Sequence, residues 1–338
     1  MDRTEQTFWA QLRAVLLLLS VAGWIGSAHQ GWAGDVLPQV VGFGYRTTVR
    51  SDWPVCWVTS VADSAEGSLR TCAEASTRQW VRFHLSGEIH LLSPIAVHSD
   101  KAIDGRGAEV RITGQGLALD GVSNVILENL IFEKGDKGTE DDAIHIINGT
   151  RNVWIDHCSL SDWGDGLVDI TRSSTDITVS WCRFTSHDKV MLIGASPRAT
   201  GDREIRVTLH HNLFLGTEER HPRLRFGKVH AYNNVLMRWG SYGMASTMSG
   251  ELLSQSNVFV AGRNKAAIVT IAGKDPERGY TRSLDDSLQN GATVVEREPN
   301  RVFDPRQYYS VLAIEKADEA LRNRVEREAG WRRLAPEN

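Results

Sequence analysis

Apolar and polar positions alternate in short runs that recur along the chain. The clearest are VILENLIF (125–132), VWIDHCSL (153–160), ITVSWCRF (177–184), VTLHHNLF (207–214), VHAYNNVL (229–236) and LLSQSNVF (252–259). Each opens with the period-two alternation of a half-buried strand and closes on an apolar residue, usually Leu or Phe. Their starts are separated by 28, 24, 30, 22 and 23 residues. Near-periodic recurrence of this kind marks a repeat architecture. The runs are too short for helical repeats and are rich in Val, Ile and Phe. One unit cannot bury its own apolar face, so the units must stack around a continuous core. The pattern predicts an all-β chain: a single-stranded right-handed parallel β-helix with two or three short strands per coil.

The sixth position of each run forms a column of Leu130, Cys158, Cys182, Asn212, Asn234 and Asn257. Coils stack ~4.8 Å apart, so these side chains should lie over one another. Inward Asn at a bend can bond to the next Asn and satisfy polar groups that would otherwise be buried alone. Cys158 and Cys182 become vertical neighbours, either as a disulfide or as packed thiols. Upstream, apolar alternation also runs through WVRFHLSGEIHL (80–91) and AIDGRGAEVRI (102–112), and a short helix is expected between Cys56 and Cys72, the more favoured disulfide pair. After Phe259 the repeat fades, and 273–305 reads as long loops. Ala317, Leu321 and Val325 lie at helical spacing within 312–332, which predicts a terminal amphipathic helix packed on the solenoid or capping it.

Longer spacings in a solenoid are loops on one face, often the binding face. The loops are 133–152, which carries Asp142, and 185–206, which carries Lys189. Asp165 and Asp169 lie four apart around GLV and can face out while Leu167 faces in. Stacking brings Asp142 towards them. Three carboxylates forced together repel unless a cation lies between them. An oxygen-only donor set suits a hard ion, Ca²⁺ before Mg²⁺; solvated turn acids are the plainer explanation. Glu140 and Asp141 join or merely flank the set. Lys189 follows on the next coil, and Arg220, Arg223 and Arg225 come from RHPRLR on the one after. Guanidinium forks suit carboxylates, so a basic strip beside an acidic site fits an acidic polymer. Pairing with acids of the preceding coils is the plainer use of the arginines. Trp154, Trp163 and Trp181 fit core packing as well as sugar stacking, and Asp156-His157 fits bonding within the stack better than a catalytic pair.

Net charge is −4, so the substrate's charge must be met by this local strip; a general nucleic-acid binder would carry a basic face instead. Ala14 to Ile25 is an apolar run of signal-peptide length, short for a bilayer span, with small residues for cleavage after Ala28 and a second option at Ala33; a membrane anchor or a buried helix is the alternative use of this run. The chain therefore reads as a signal over 1–28 and one domain over 36–338, exported to the extracellular or periplasmic space, with no membrane attachment after cleavage.

WIDHCSLSDWGDGLVDI, HDKVMLIG and RHPRLR occur in order, with ADSAEGSLR and IDGRGAEVRITGQGL upstream. They resemble the WiDH signature, the DGLxD calcium segment, the lysine segment and the R-x-P-x-x-R motif of pectate lyases in polysaccharide lyase family 1. The similarity runs from about Gly42 to about Phe303 (a span read from the motifs). This resemblance implies a monomeric parallel β-helix, Ca²⁺ dependence, and cleavage of α-1,4-linked polygalacturonate by β-elimination. Asp142, Asp165 and Asp169 match calcium ligands. Arg220 matches the residue proposed to take the C5 proton, and Lys189 and Arg225 match residues that hold substrate carboxylates. A guanidinium is normally protonated; nearby Ca²⁺, Lys189 and Arg225 would favour its neutral form, and an alkaline optimum is expected. The alternatives are a pectin lyase acting on methyl esters without calcium, and a non-catalytic polyuronate-binding solenoid.

Overall fold

The computed structural model describes residues 39–134, 141–311 and 314–333. The alternating runs become strands because stacking their inward residues is the one way to dry them. Val153 and Ile155, then Ile177 and Val179, then Val207 and Leu209 lie over one another in register, all fully buried. The strands form three parallel sheets of ten, nine and nine strands. Together they make the right-handed parallel β-helix expected from the pattern. A full coil contributes one strand to each sheet. The first sheet holds Arg151–Asp156 and Thr175–Ser180, and the third holds Ser159–Ser161 and Arg183–Thr185. The second holds Ile144–Ile147, Val168–Ile170, Leu192–Ile193 and Arg223–Arg225, and it carries the candidate site.

The apolar end of each run stacks into a core column: Phe132, Leu160, Phe184, Phe214, Leu236 and Phe259. Phe184 and Phe214 lie face to face with centroids 4.9 Å apart. At the bend beside this column the asparagines form the expected ladder. Asn212 Nδ2 donates to Asn234 Oδ1 and Asn234 Nδ2 to Asn257 Oδ1, both at 2.9 Å. The ladder continues one coil further, onto the half-buried Asp286, which accepts from the Asn257 backbone N–H at 2.7 Å. Cys158 and Cys182 are buried free thiols, and Cys56–Cys72 is a disulfide.

One expectation is corrected. Residues 273–305 are not a run of long loops: Tyr280–Leu284, Ser287–Gln289 and Thr293–Val294 add a strand to each sheet. Nothing stacks beyond this last coil in the sheets, so its strands carry polar and half-exposed residues that hide the alternation. The stack takes in the upstream alternating runs and begins with Val55–Val58 at the edge of the first sheet.

The helix at the C-terminal end is Glu319–Glu328, shorter than the periodic stretch because Asp318 caps its first turn through Ala320 N and Leu321 N. It buries Leu321 and Val325 on Leu213, Val235 and Val258 of three successive coils. Residues 1–28, with the expected cleavage site, and Glu140 lie outside the described residues. Among the described residues no helix is long and apolar enough to cross a membrane.

Candidate active site

The second sheet places the acids. Ile144 pairs with Val168 and His145 with Asp169, so Asp142 comes level with Gly166 on the next coil. The Asp142 carboxylate accepts from Gly166 N at 2.8 Å, and Asp169 Oδ1 accepts from Leu192 N at 3.0 Å on the coil beyond. Gly166 is the floor between them. A methyl group there would stand 2.4 Å from Asp169 Oδ1 and 2.8 Å from Asp142 Oδ1. Only a residue without a side chain lets the two oxygens face one another across that point.

The pair is electrostatically costly. Burial, then the charge of Asp142, pushes Asp169 well above the usual carboxylate range, and the Leu192 N–H and Arg220 only partly oppose this. Burial likewise raises Asp142 against the Gly166 hydrogen bond. The donors are hard oxygens, which a divalent cation between them would neutralise. His145, overlooked in the sequence, lies half-exposed beside the pair with Nδ1 3.7 Å from Asp142 Oδ2.

The third acid behaves differently. Asp165 Oδ1 accepts from Lys189 Nζ at 2.8 Å, and both side chains are partly exposed to solvent. That hydrogen bond raises the Lys189 ammonium above its ordinary value. Asp142, Asp165 and Asp169 therefore share one face without closing into a tight triad: the group of three acid or histidine ligand atoms found within 4.8 Å of one another lies elsewhere, at Glu128, Asp156 and His157. A cation would have to draw Asp165 from Lys189. Two buried oxygens across an open glycine, with a third acid on the adjoining turn, fit a hard ion such as Ca²⁺.

Arg220 sits at the next rung. Glu219 bridges the Lys189 backbone, and the Arg220 carbonyl accepts from Met191 N at 2.9 Å. Its backbone is left-handed, φ 66°, and the following His221–Pro222 bond is cis. The side chain is mostly buried, and Nε lies 3.5 Å from Glu219 Oε1 with no hydrogen bond among the described residues. Its charge acts on Asp169 and on Lys189, so all three belong to one site. His221 holds the turn: Thr217 Oγ lies 2.7 Å from Nε2 and Nδ1 donates to the Gly243 carbonyl at 2.9 Å.

The other two arginines do not pair with acids of the preceding coils. Arg223 and Arg225 both turn to Asp275, which comes from the loop that follows Ala266–Val269, two coils further on. No sequence signal separates Asp275 from the other charges of that polar stretch. The aromatic and WIDH residues take structural roles. Trp163 is fully buried in the core, Trp154 Nε1 donates to Ser180 Oγ at 2.8 Å, and Trp181 lies between His157 and His211. Asp156 is buried against Ser180 and His157 on the first sheet, within the stack as expected.

Comparison with known proteins agrees with this architecture. A family profile described as pectate lyase matches residues 84–293. Pectate lyase 4 of Ambrosia artemisiifolia is 35% identical over 305 residues, 82% of this chain and 77% of that one. Probable pectate lyase 4 of Arabidopsis thaliana is 36% identical, over 75% of this chain and 72% of that protein. Among solved structures, jun a 1, the major allergen from cedar pollen, superposes with a TM-score of 0.77 and 31% identity, covering 86% of this chain and 92% of its own. Pectate lyase Bsp165PelA from Bacillus sp. N165, solved with trigalacturonate, shares the fold at a TM-score of 0.68 and 20% identity, covering 86% of this chain and 98% of its own. With a matching profile across most of the solenoid, and relatives above 30% identity over most of its length, the chain belongs to the pectate lyase family of polysaccharide lyases.

Proposed function

We propose that this protein cleaves α-1,4-linked polygalacturonate by Ca²⁺-dependent β-elimination and releases 4,5-unsaturated oligogalacturonides. The observation that carries the reading is the facing of Asp142 Oδ1 and Asp169 Oδ1 across Gly166, with Lys189 one rung and Arg220 two rungs beyond Asp169. Two raised carboxylates without an arginine or lysine of their own call for a cation, and the cations beside them suit a polymer of carboxylates.

Asp142, Asp169 and Asp165 would hold Ca²⁺. The chemistry it would supply there is stabilisation of the negative charge that builds on a uronate carboxylate during proton removal. Lys189 adds a donor for the same charge, in a groove where such dipoles act at short range. Arg220, first in R-x-P-x-x-R, takes the C5 proton in its neutral form. The C–H electron pair becomes the C4=C5 double bond, the bond from C4 to the glycosidic oxygen breaks, and that oxygen is protonated from water. Arg225 orients a neighbouring carboxylate. The base works as a neutral guanidine, so the optimum lies on the alkaline side.

The reading also places one catalytic domain from residue 36 onwards, exported after loss of residues 1–28 and acting as a monomer outside the cytoplasm. The Cys56–Cys72 disulfide supports an oxidising compartment. The test is ultraviolet absorbance of unsaturated uronide on polygalacturonate, with calcium and with a chelator. The expected result is absorbance with calcium alone. Full activity in chelator on methyl-esterified pectin would replace this reading with a pectin lyase, and binding without absorbance would replace it with a binding solenoid.

A further inference from the structure

Arg225 is matched to substrate binding, yet a free arginine side chain on a sheet face samples many rotamers, and fixing one has an entropic cost. Here the fixing is built in. Arg225 Nε donates to Asp275 Oδ1 at 2.9 Å, and its Nη1 donates to the Gly194 carbonyl at 3.0 Å. Arg223 approaches the same carboxylate from the side: its Nη2 donates to Asp275 Oδ2 at 2.8 Å and to the Ala272 carbonyl at 2.8 Å. Thr247 Oγ1 donates to Asp275 Oδ2 at 2.8 Å as well. The acid is thus saturated by three residues from two coils. It is buried within the exposed polar loop between Ala266–Val269 and Tyr280–Leu284. Burial alone would push its pKa up; the bonds from Arg223, Arg225 and Thr247 more than offset that and hold it ionised. Among the described residues Arg225 Nη2 makes no hydrogen bond, so one edge of a clamped guanidinium is left for a ligand.

We propose that Asp275 is a positioning residue for the lyase reaction, holding Arg225 so that its Nη2 edge meets a uronate carboxylate in the groove, with Arg223 and Thr247 bracing the clamp. This rests on the function proposed above. A clamp of this kind acts on binding of the polymer more than on proton removal, because Arg225 meets a carboxylate in ground and transition states alike. A pre-set donor loses little freedom when the ligand arrives, which is where the affinity comes from.

The experiment is steady-state kinetics on polygalacturonate for wild type, Asp275→Asn, Asp275→Glu, Arg225→Lys and the double variant Asp275→Asn/Arg225→Lys, with melting temperatures alongside. Asp275→Asn is expected to raise KM about tenfold with kcat changed much less. Asp275→Glu should recover part of the loss. In the Arg225→Lys background Asp275→Asn should add little, since the group it positions is already gone. A folded Asp275→Asn enzyme with unchanged KM overturns the proposal, and so does full additivity with Arg225→Lys. If Asp275→Asn does not fold, Thr247→Val carries the same test, with a KM rise of about twofold that vanishes in the Arg225→Lys background. Wild-type protein that yields no unsaturated product overturns the functional reading instead.

Discussion

Two stacks of carboxylates occupy this solenoid, and they are treated in opposite ways. On the first sheet Asp104, Glu128 and Asp156 fill one register column. There the protein supplies the counter-charge itself. Arg106 pairs with Asp104 at 2.8 Å, His157 and Ser180 bond to Asp156, and Arg332 from beyond the C-terminal helix donates to His157 Nε2 at 3.0 Å. Glu128 has one buried oxygen without a partner, and burial pushes its pKa well above the usual range. On the second sheet Asp142 and Asp169 each accept a backbone N–H, and among the described residues no arginine or lysine bonds to either. Stacked acids are a by-product of the fold's repeat. What makes a site of them is a missing counter-charge on a face that substrate can reach.

Several variants would break or sharpen this contrast. The largest effect belongs to Arg220→Lys. Turnover on polygalacturonate should fall at least about a thousandfold with the melting temperature nearly unchanged, since a positioned general base contributes on that scale. Retained turnover would remove Arg220 from the chemistry.

Next comes the exchange of Asp169→Asn with Asp156→Asn. Asp169 has a raised folded pKa, so its contribution to stability is present below the unfolded value of 3.8 and is lost as pH rises through the folded value. At neutral pH without calcium, Asp169→Asn should therefore melt higher than wild type, yet lose activity and calcium-induced stabilisation. Asp156→Asn should lose about 2 kcal/mol of stability and melt lower with or without calcium, because it breaks a satisfied buried network. Thermal scans in calcium and in chelator decide it; equal responses of the two variants would erase the distinction.

Acid pH separates the two sheets as well. Burial lowers His230 on the first sheet and His221 beside the site to about 4, from an ordinary 6.5. These residues are neutral in the fold and charged when unfolded, so their stability is complete above 6.5 and lost as pH falls towards 4. Each contributes about 3 kcal/mol at the acid end. Denaturant midpoints between pH 7 and pH 4 should fall, with Asp169 pulling the other way. A flat profile would contradict both burials. The smallest effect is expected for Gly166→Ala, whose methyl would stand between the two site oxygens. The calcium concentration for half-maximal activity should rise about tenfold, with little change in stability without calcium.

The residues of the candidate site stand out in the sequence because its motifs are local. DGLVD sets two acids on one turn, and RHPRLR sets three cations on another. Their partners were not legible. Asp275 is a lone acid in a polar loop, 50 residues beyond Arg225, and only the winding of two further coils brings it there. Gly166 reads as a turn glycine until the oxygens on either side of it are located. Asp165 shows the limit within a motif: sequence groups it with Asp169, but its side chain turns to Lys189.

The sequence by itself determined the solenoid. Alternation and spacing are enough, because every coil must bury the same face against its neighbours, and the Phe and Asn columns record that demand position by position. It did not determine where the stack ends, since the last coil has a neighbour on one side only and needs fewer apolar residues. The tertiary structure alone decided which charges cancel. Counter-charge depends on distances of a few ångströms between side chains from different coils, and a linear pattern does not encode them.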